Sequence, residues 1–331
     1  MAVRPLVRRL RAGQGDGMTM MQAAVTTAAG GPQHLKLRKV PRPEPGLGEV
    51  LVQTRAAGVN PVDFYAGMEG ELPTGDAPPF VLGWDVAGVV RAVGPGVVRW
   101  EVGDEVLGLV RFPAAAGTYA EYVAAPSNEL VRKPQGMTFE QAGALPLAGL
   151  TAWQALVVAG QVTAGQRVLV HAAAGGVGHL AVQIAKSRAA YVIGTARRGK
   201  HAFLRRLGVD QPVDYTDPEA MAAVADVDLV LDTMGGEQAR ADISRMRNGG
   251  RIVTLLPMDP AFPEPEIRAA GGTPYRLLVE PDTSHLEELL TLWRRGQLRI
   301  HLDASYPLEE TATAHTRGLD GHVTGKLVVT M

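Results

Sequence analysis

In the run RVLVHAAAGGVGH, residues 167–179, β-branched residues give way abruptly to alanines and glycines spaced Ala173-x-Gly175-x-x-Gly178. Apolar helical spacing then resumes in LAVQIAK. A turn of this kind can hold a pyrophosphate. Gly175 lets the anion approach the backbone, Gly178 lets a helix pack close to the strand, and the free N–H groups around Gly176 and Val177 face the phosphate charge. Glycine turns also serve packing alone, so the reading rests on context: a strand before, a helix after, and alternation of both downstream.

The second strand-like run, YVIGT, bears on which nucleotide would bind. It ends at Thr195 and is followed by Ala196, Arg197, Arg198, Gly199 and Lys200. Sites for NAD usually place an acid ~20 residues after the glycine turn to grip the ribose 2′-hydroxyl. Here three cations stand instead, which would attract a 2′-phosphate, so NADPH is the expected cofactor. The competing reading is a solvated basic turn.

The elements that must position these groups follow from the pattern. Before about Pro134, EVLVQTRAAGV, VAGVVRAVG, DEVLGLV and TYAEYVAAP are β-like runs separated by clusters such as PEPGLG and GPGV, as in a barrel or sandwich. Helical periodicity begins in TFEQAGALPLAGLTAWQALV, with Thr138 as N-cap and Gln141 three residues on. RVLVHA, YVIGTA, DLVLDTM and RIVTLL then alternate with helical stretches, the signature of βαβ units and a mostly parallel sheet. YRLLVEP reads as a further strand, SHLEELLTLWRRG as a helix, and the closing GKLVVTM as β that returns to the first unit.

Composition sets the outer bounds. The chain has 331 residues, is 46% hydrophobic, and carries a net charge of -1, so it lacks the basic excess of a nucleic-acid binder. No stretch approaches the ~18 uninterrupted apolar residues of a membrane span. With no cysteine, thiol nucleophiles, disulfides and thiolate metal sites are excluded, which fits a cytoplasmic enzyme. Residues 1–20, arginine-rich and without an apolar run after Arg8-Arg9, read as a disordered extension.

At this level the sequence resembles the medium-chain dehydrogenase/reductase superfamily, in particular its zinc-independent quinone oxidoreductase (zeta-crystallin-like) branch. The matching pieces are AAGVNPVDFYAG, PFVLGWDVAGVV, VGDEVLGL, GTYAEYV, LPLAGLTAW, AAAGGVGHLAVQIAK, GGRIV and GKLVV, in order from Met21 onward. The resemblance implies an α/β fold: a Rossmann doubly wound parallel sheet, residues 138–282, inserted in a GroES-like β-barrel substrate domain, residues 21–137 plus 283–331. It also implies a homodimer joined through the last Rossmann strand. Zinc relatives carry a cysteine where this chain has Asn60 and a His-Glu pair where it has Trp84-Asp85, so no metal site is expected.

Without a Lewis acid, the chemistry left is hydride transfer to an electron-poor acceptor, a quinone or an α,β-unsaturated carbonyl. By resemblance, Asn60 and Tyr65 lie near the nicotinamide, with Tyr65 the better hydrogen-bond or proton donor and Asp63 a turn residue. Also by resemblance, Thr151 touches the nicotinamide side, Tyr215 the adenine side, and Leu255, Leu256 and Pro257 the carboxamide, while Lys326 lines the cleft. The loops at residues 66–80 and 111–122 would shape the acceptor pocket. His171 reads as a hydrogen-bonded core residue and His179 as packing, and no G-x-S-x-G elbow supports serine hydrolysis. Two alternatives remain: an enoyl reductase acting on a thioester or polyketide-derived intermediate, and a protein that binds NADPH without turnover.

Overall fold

The computed structural model describes residues 19–331. Residues 1–18 of the expected extension lie outside the described residues, but Met20 does not belong to it. Met20 opens β1 (Met20–Thr26), which pairs antiparallel with β2 (Leu35–Pro41).

The eleven-residue run expected as a strand is β3 (Glu49–Val59), and its nearly continuous burial makes it the hub of the first sheet. Helix α1 (Pro61–Glu69) follows it directly. The short β4 (Phe80–Val81) joins β1. Next come β5 (Asp85–Val93), β6 (Glu105–Leu109), β7 (Tyr122–Pro126) and β8 (Leu130–Arg132). β5 and β7 pair antiparallel with β3, while β6 links β5 to β8.

The helical run after Thr138 is broken in two: α2 (Phe139–Ala144) and α3 (Pro146–Trp153). The expected capping box is formed, with Gln141 N donating to Thr138 Oγ1 at 3.2 Å and Thr138 N to Gln141 Oε1 at 3.3 Å. Pro146 has no N–H to continue the ladder, so a new helix starts there. Although residues 138–144 were expected with the nucleotide unit, α2 rests on the barrel. Gly143 permits this, because a Cβ there would meet the Ala56 carbonyl carbon at 2.8 Å.

The second sheet contains β9 (Arg167–Val170), β10 (Tyr191–Thr195), β11 (Gln211–Val213), β12 (Val227–Asp232), β13 (Met246–Thr254) and β14 (Thr273–Arg276). Its order is β11-β10-β9-β12-β13-β14, all parallel. The connecting helices are α4 (Gly178–Ser187), α5 (His201–Leu207), α6 (Pro218–Ala222), α7 (Gly236–Asp242) and α8 (Glu264–Ala269). This is the doubly wound order whose crevice opens beyond the carboxyl ends of β9 and β12, where the connections diverge. Val168, Leu169 and Val170 are fully buried, as a strand covered on both faces requires.

The strand expected over YRLLVEP stops at Arg276. Beyond it Glu280 is captured by Gln154, which donates to its carbonyl at 2.8 Å and accepts its amide at 3.0 Å. After α9 (Thr283–Arg294), β15 (Leu302–Pro307) and α10 (Thr311–Leu319), the chain closes with β16 (Lys326–Thr330). β16 lies antiparallel to β3, with Leu327 opposite Val59, so the tail returns to the barrel as expected.

Candidate active site

The glycine turn joins β9 to α4. Its third glycine is sterically required: a Cβ on Gly178 would collide with the Ala172 carbonyl oxygen and lie 2.8 Å from Ala173 Cα. Gly175, Gly176 and Val177 are partly exposed, and the amides of Gly176 and Val177 donate to no backbone carbonyl. The turn thus offers unspent N–H groups at a helix start, a fit for a dinucleotide diphosphate.

Barrel residues close on this turn from the other side. Gly325 N donates to Ala174 O at 2.8 Å, and the Lys326 stem passes 3.2 Å from where a Gly176 Cβ would stand. Its ammonium donates to Val59 O at 2.8 Å and to Asn60 Oδ1. The Asn60 amide group in turn donates to Asp85 Oδ2 at 2.8 Å, while Asp85 Oδ1 accepts Leu147 N at 2.6 Å. Lysine only donates and an ionised carboxylate only accepts, so the orientation of the carboxamide is determined. Burial pushes the Asp85 carboxyl up and the Lys326 ammonium down, and the charge of each opposes the shift of the other.

Asp63 is no turn residue. It is fully buried at the third position of α1, where Oδ2 accepts Asn60 N at 2.7 Å and the Tyr119 hydroxyl at 2.9 Å. Burial pushes its carboxyl up to about 7, against the lowering effect of those two hydrogen bonds. Reading Asn60-x-x-Asp63 as a capping box would have identified it. Tyr119 and His315 carried no comparable signal. Their ring centroids stand 5.7 Å apart across a contact between α10 and the barrel.

Tyr65 is half-exposed on α1, its ring edge-on to Phe64. At the far end of the crevice, Arg197 Nε donates to the Tyr215 hydroxyl at 3.0 Å, and both residues are exposed. Arg198 is exposed too, but its amide donates to Asp214 Oδ2 at 3.0 Å, so a carboxylate does stand beside the basic turn. Lys200 is spent on backbone carbonyls. Its ammonium donates to Val323 O at 2.9 Å and His322 O at 3.3 Å, tying the turn to the segment before β16.

Two threonines point elsewhere. Thr195 is buried with Oγ1 on His171 Nδ1 at 3.2 Å, and Thr151 Oγ1 donates to Leu147 O at 2.7 Å within its own helix. Leu255, Leu256 and Pro257 are partly buried just past β13. His171 is the expected hydrogen-bonded core residue, its Nε2 2.7 Å from Asp242 Oδ2. His179 does more than pack: Nδ1 lies 2.8 Å from Gly175 O, and Nε2 accepts His301 N at 3.3 Å. Burial drives its pKa down to about 4, so the neutral Nδ1–H tautomer satisfies both contacts.

The residues opposite the zinc ligands of related dehydrogenases are occupied otherwise. Trp84 is buried, donates Nε1–H to Ala114 O at 2.8 Å, and stands edge-on to Phe112. Phe112 and Ala114 of the loop expected to shape the acceptor pocket are thus drawn onto this ring. Among the described residues, no three His, Asp or Glu side chains group as metal ligands.

Comparison with known proteins completes the picture. The family described as "Alcohol dehydrogenase GroES-like domain" matches residues 46–135, and "Zinc-binding dehydrogenase" matches residues 207–329. The chloroplast envelope quinone oxidoreductase homolog of Arabidopsis thaliana is 31% identical over 95% of this chain and 99% of its own. The chain belongs to the medium-chain dehydrogenase/reductase family, on its quinone oxidoreductase branch. Among solved structures of this family, the quinone oxidoreductase from Coxiella burnetii superposes with a TM-score of 0.89 at 35% identity, covering 95% of this chain and 100% of that one. Mycobacterial Rv1454c, solved in complex with NADPH, gives a TM-score of 0.83 at 30% identity over 94% and 100% of the two chains. The protein is an oxidoreductase with the dinucleotide-binding fold of its family.

Proposed function

We propose that the protein is an NADPH-dependent reductase that delivers hydride to a quinone or α,β-unsaturated carbonyl without a metal. The donor set at Asn60 carries this reading. Its carboxamide is spent on Asp85 and Lys326, and Trp84 is spent on Ala114, so three open ligands for zinc do not converge there. An acceptor oxygen in this cleft must be served by hydrogen bonds instead.

Reduced nicotinamide, when bound, supplies the hydride. The unspent amides of Gly176 and Val177, in the turn that Gly175 and Gly178 shape, bind the diphosphate, and Arg197 and Arg198 meet the 2′-phosphate beside Tyr215. Lys200 contributes charge from its tether on Val323 and does not contact the phosphate directly. Leu255, Leu256 and Pro257 exclude water from the ring, with Thr151 and Thr195 shaping the cleft from behind. The Tyr65 hydroxyl donates to the oxygen on which enolate charge develops, and Lys326 and Asn60 hold the barrel wall in register with the glycine turn.

The coenzyme assignment is tested by Arg197→Ala/Arg198→Ala. Loss of two charge-assisted phosphate contacts, each ~1.5–3 kcal/mol before screening, should weaken NADPH binding at least ~10-fold while sparing NADH. Equal loss for both coenzymes would refute the 2′-phosphate reading. Turnover of a simple quinone against a thioester enone separates the two acceptor classes. Stoichiometric NADPH binding with no oxidation by either would leave a binding protein. β14 is a free edge of its sheet with Tyr275 43% exposed, and we place a homodimer contact there.

A further inference from the structure

Away from the coenzyme crevice, a second cavity of about 490 Å³ opens between α5, α9 and the segment before β15. That volume lies within the ~300–1,000 Å³ range of small-molecule sites. Its walls are apolar and aromatic: Phe203, Leu207, Trp293 and Ile300, with the His301 ring 4.9 Å from that of Phe203. Arg206 and Arg299 line the same space, and no acidic residue does. Neither guanidinium has a carboxylate partner among the described residues, whereas Arg111, Arg132, Arg240, Arg276 and Arg317 each do. The remaining polar lining groups, Gln141 and His301, can also donate.

The floor of the cavity is held in place. Arg299 exchanges two backbone hydrogen bonds with Gln183 of α4, its N donating at 2.8 Å and its O accepting at 3.0 Å. His301 N is bound to His179. Arg299 on this fixed floor and Arg206 on α5, whose guanidinium lies 5.7 Å over the Phe203 ring, both offer charge to an anion, and a flat apolar body fills the space between the walls. We propose that this cavity is a second ligand site, independent of the coenzyme assignment, for a small planar aromatic carboxylate. The carboxylate would meet Arg206 and Arg299, and the ring system would lie between Phe203 and Trp293.

The probe is 2-naphthoate, titrated against the full chain by calorimetry and by tryptophan fluorescence, with 2-methylnaphthalene as the uncharged control. Saturable binding of the acid is expected, weakened by salt and reduced at least ~10-fold in Arg206→Gln/Arg299→Gln. Both arginines are exposed, so this variant should keep the fold, which circular dichroism checks. Leu207→Glu, which sets a carboxylate in the cavity, should abolish binding by repulsion. No saturation up to about 10 mM would overturn the proposal. So would equal affinity in the arginine and Leu207 variants, which would put the probe elsewhere on the molecule.

Discussion

His179 Nε2 accepts the amide of His301 at 3.3 Å while its Nδ1 sits 2.8 Å from Gly175 O, so one neutral imidazole ties the glycine turn to the chain returning to the barrel. Together with Gly325 N on Ala174 O, it makes the glycine turn a joint between the two sheets.

The first prediction concerns that imidazole. His179→Phe removes both ring contacts; Gly175 O keeps the backbone amide of residue 179 at 3.1 Å, so the part-buried His301 amide alone loses its partner, a cost of about 1–3 kcal/mol. The urea midpoint should fall accordingly with an unchanged slope. A loss below about 0.5 kcal/mol would mean the two contacts carry no weight.

Neighbouring glycines should behave differently. Gly178→Ala drives a methyl into the Ala172 carbonyl and should destabilise by about 3 kcal/mol or more. Gly176→Ala meets the Lys326 stem at 3.2 Å and the Gly325 carbonyl oxygen at an ordinary 3.5 Å, and should cost less than about 1 kcal/mol in stability. The added methyl would nonetheless stand where the diphosphate approaches. Dinucleotide affinity unchanged in Gly176→Ala would show that the turn does not receive the phosphate.

Acid should expose a third relationship. Burial holds the His315 imidazole down at about 4, from 6.5 when free, and its Nε2 has no partner. Between those two values the unfolded chain binds the proton and the folded chain does not. Stability is therefore full above pH 6.5 and falls as the pH drops toward 4, by about 3 kcal/mol for this ring. Asp63 acts oppositely: its folded carboxyl stays protonated to about 7 against 3.8 unfolded, so its contribution is lost as pH rises through that interval. His315→Phe keeps the edge-on contacts with Phe64 and Tyr119 and should be neutral or stabilising at pH 7. Urea unfolding at pH 7 and at pH 4.5 should show the variant losing less on acidification than the parent chain. Parallel losses would place the acid sensitivity elsewhere.

Much of the architecture was legible before any coordinates. Periodicity located β3, β5, β9, β10 and α4 to within a residue or two, because burial on one face or both imposes a repeat that local sequence must carry. The Thr138–Gln141 cap was equally readable, since both partners lie within one helical turn. The helix break at Pro146 and the early end of β14 were missed. The first required weighing one proline against a long apolar pattern. The second depended on Gln154, which is 126 positions away from Glu280.

The sequence by itself determined which elements form, that a strand-turn-helix could receive a diphosphate, and that cations crowd the end of the second strand. Only the tertiary structure decided how those charges are used. It joined Arg197 to Tyr215, drew Lys200 onto Val323, turned Thr151 and Thr195 inward, and made Asp63 and His179 buried partners in place of a turn residue and a packing ring. The reason is physical. Local pattern is set by the backbone's repeat, whereas the partner of a polar side chain is whichever group burial brings within about 3 Å, often from the far end of the chain.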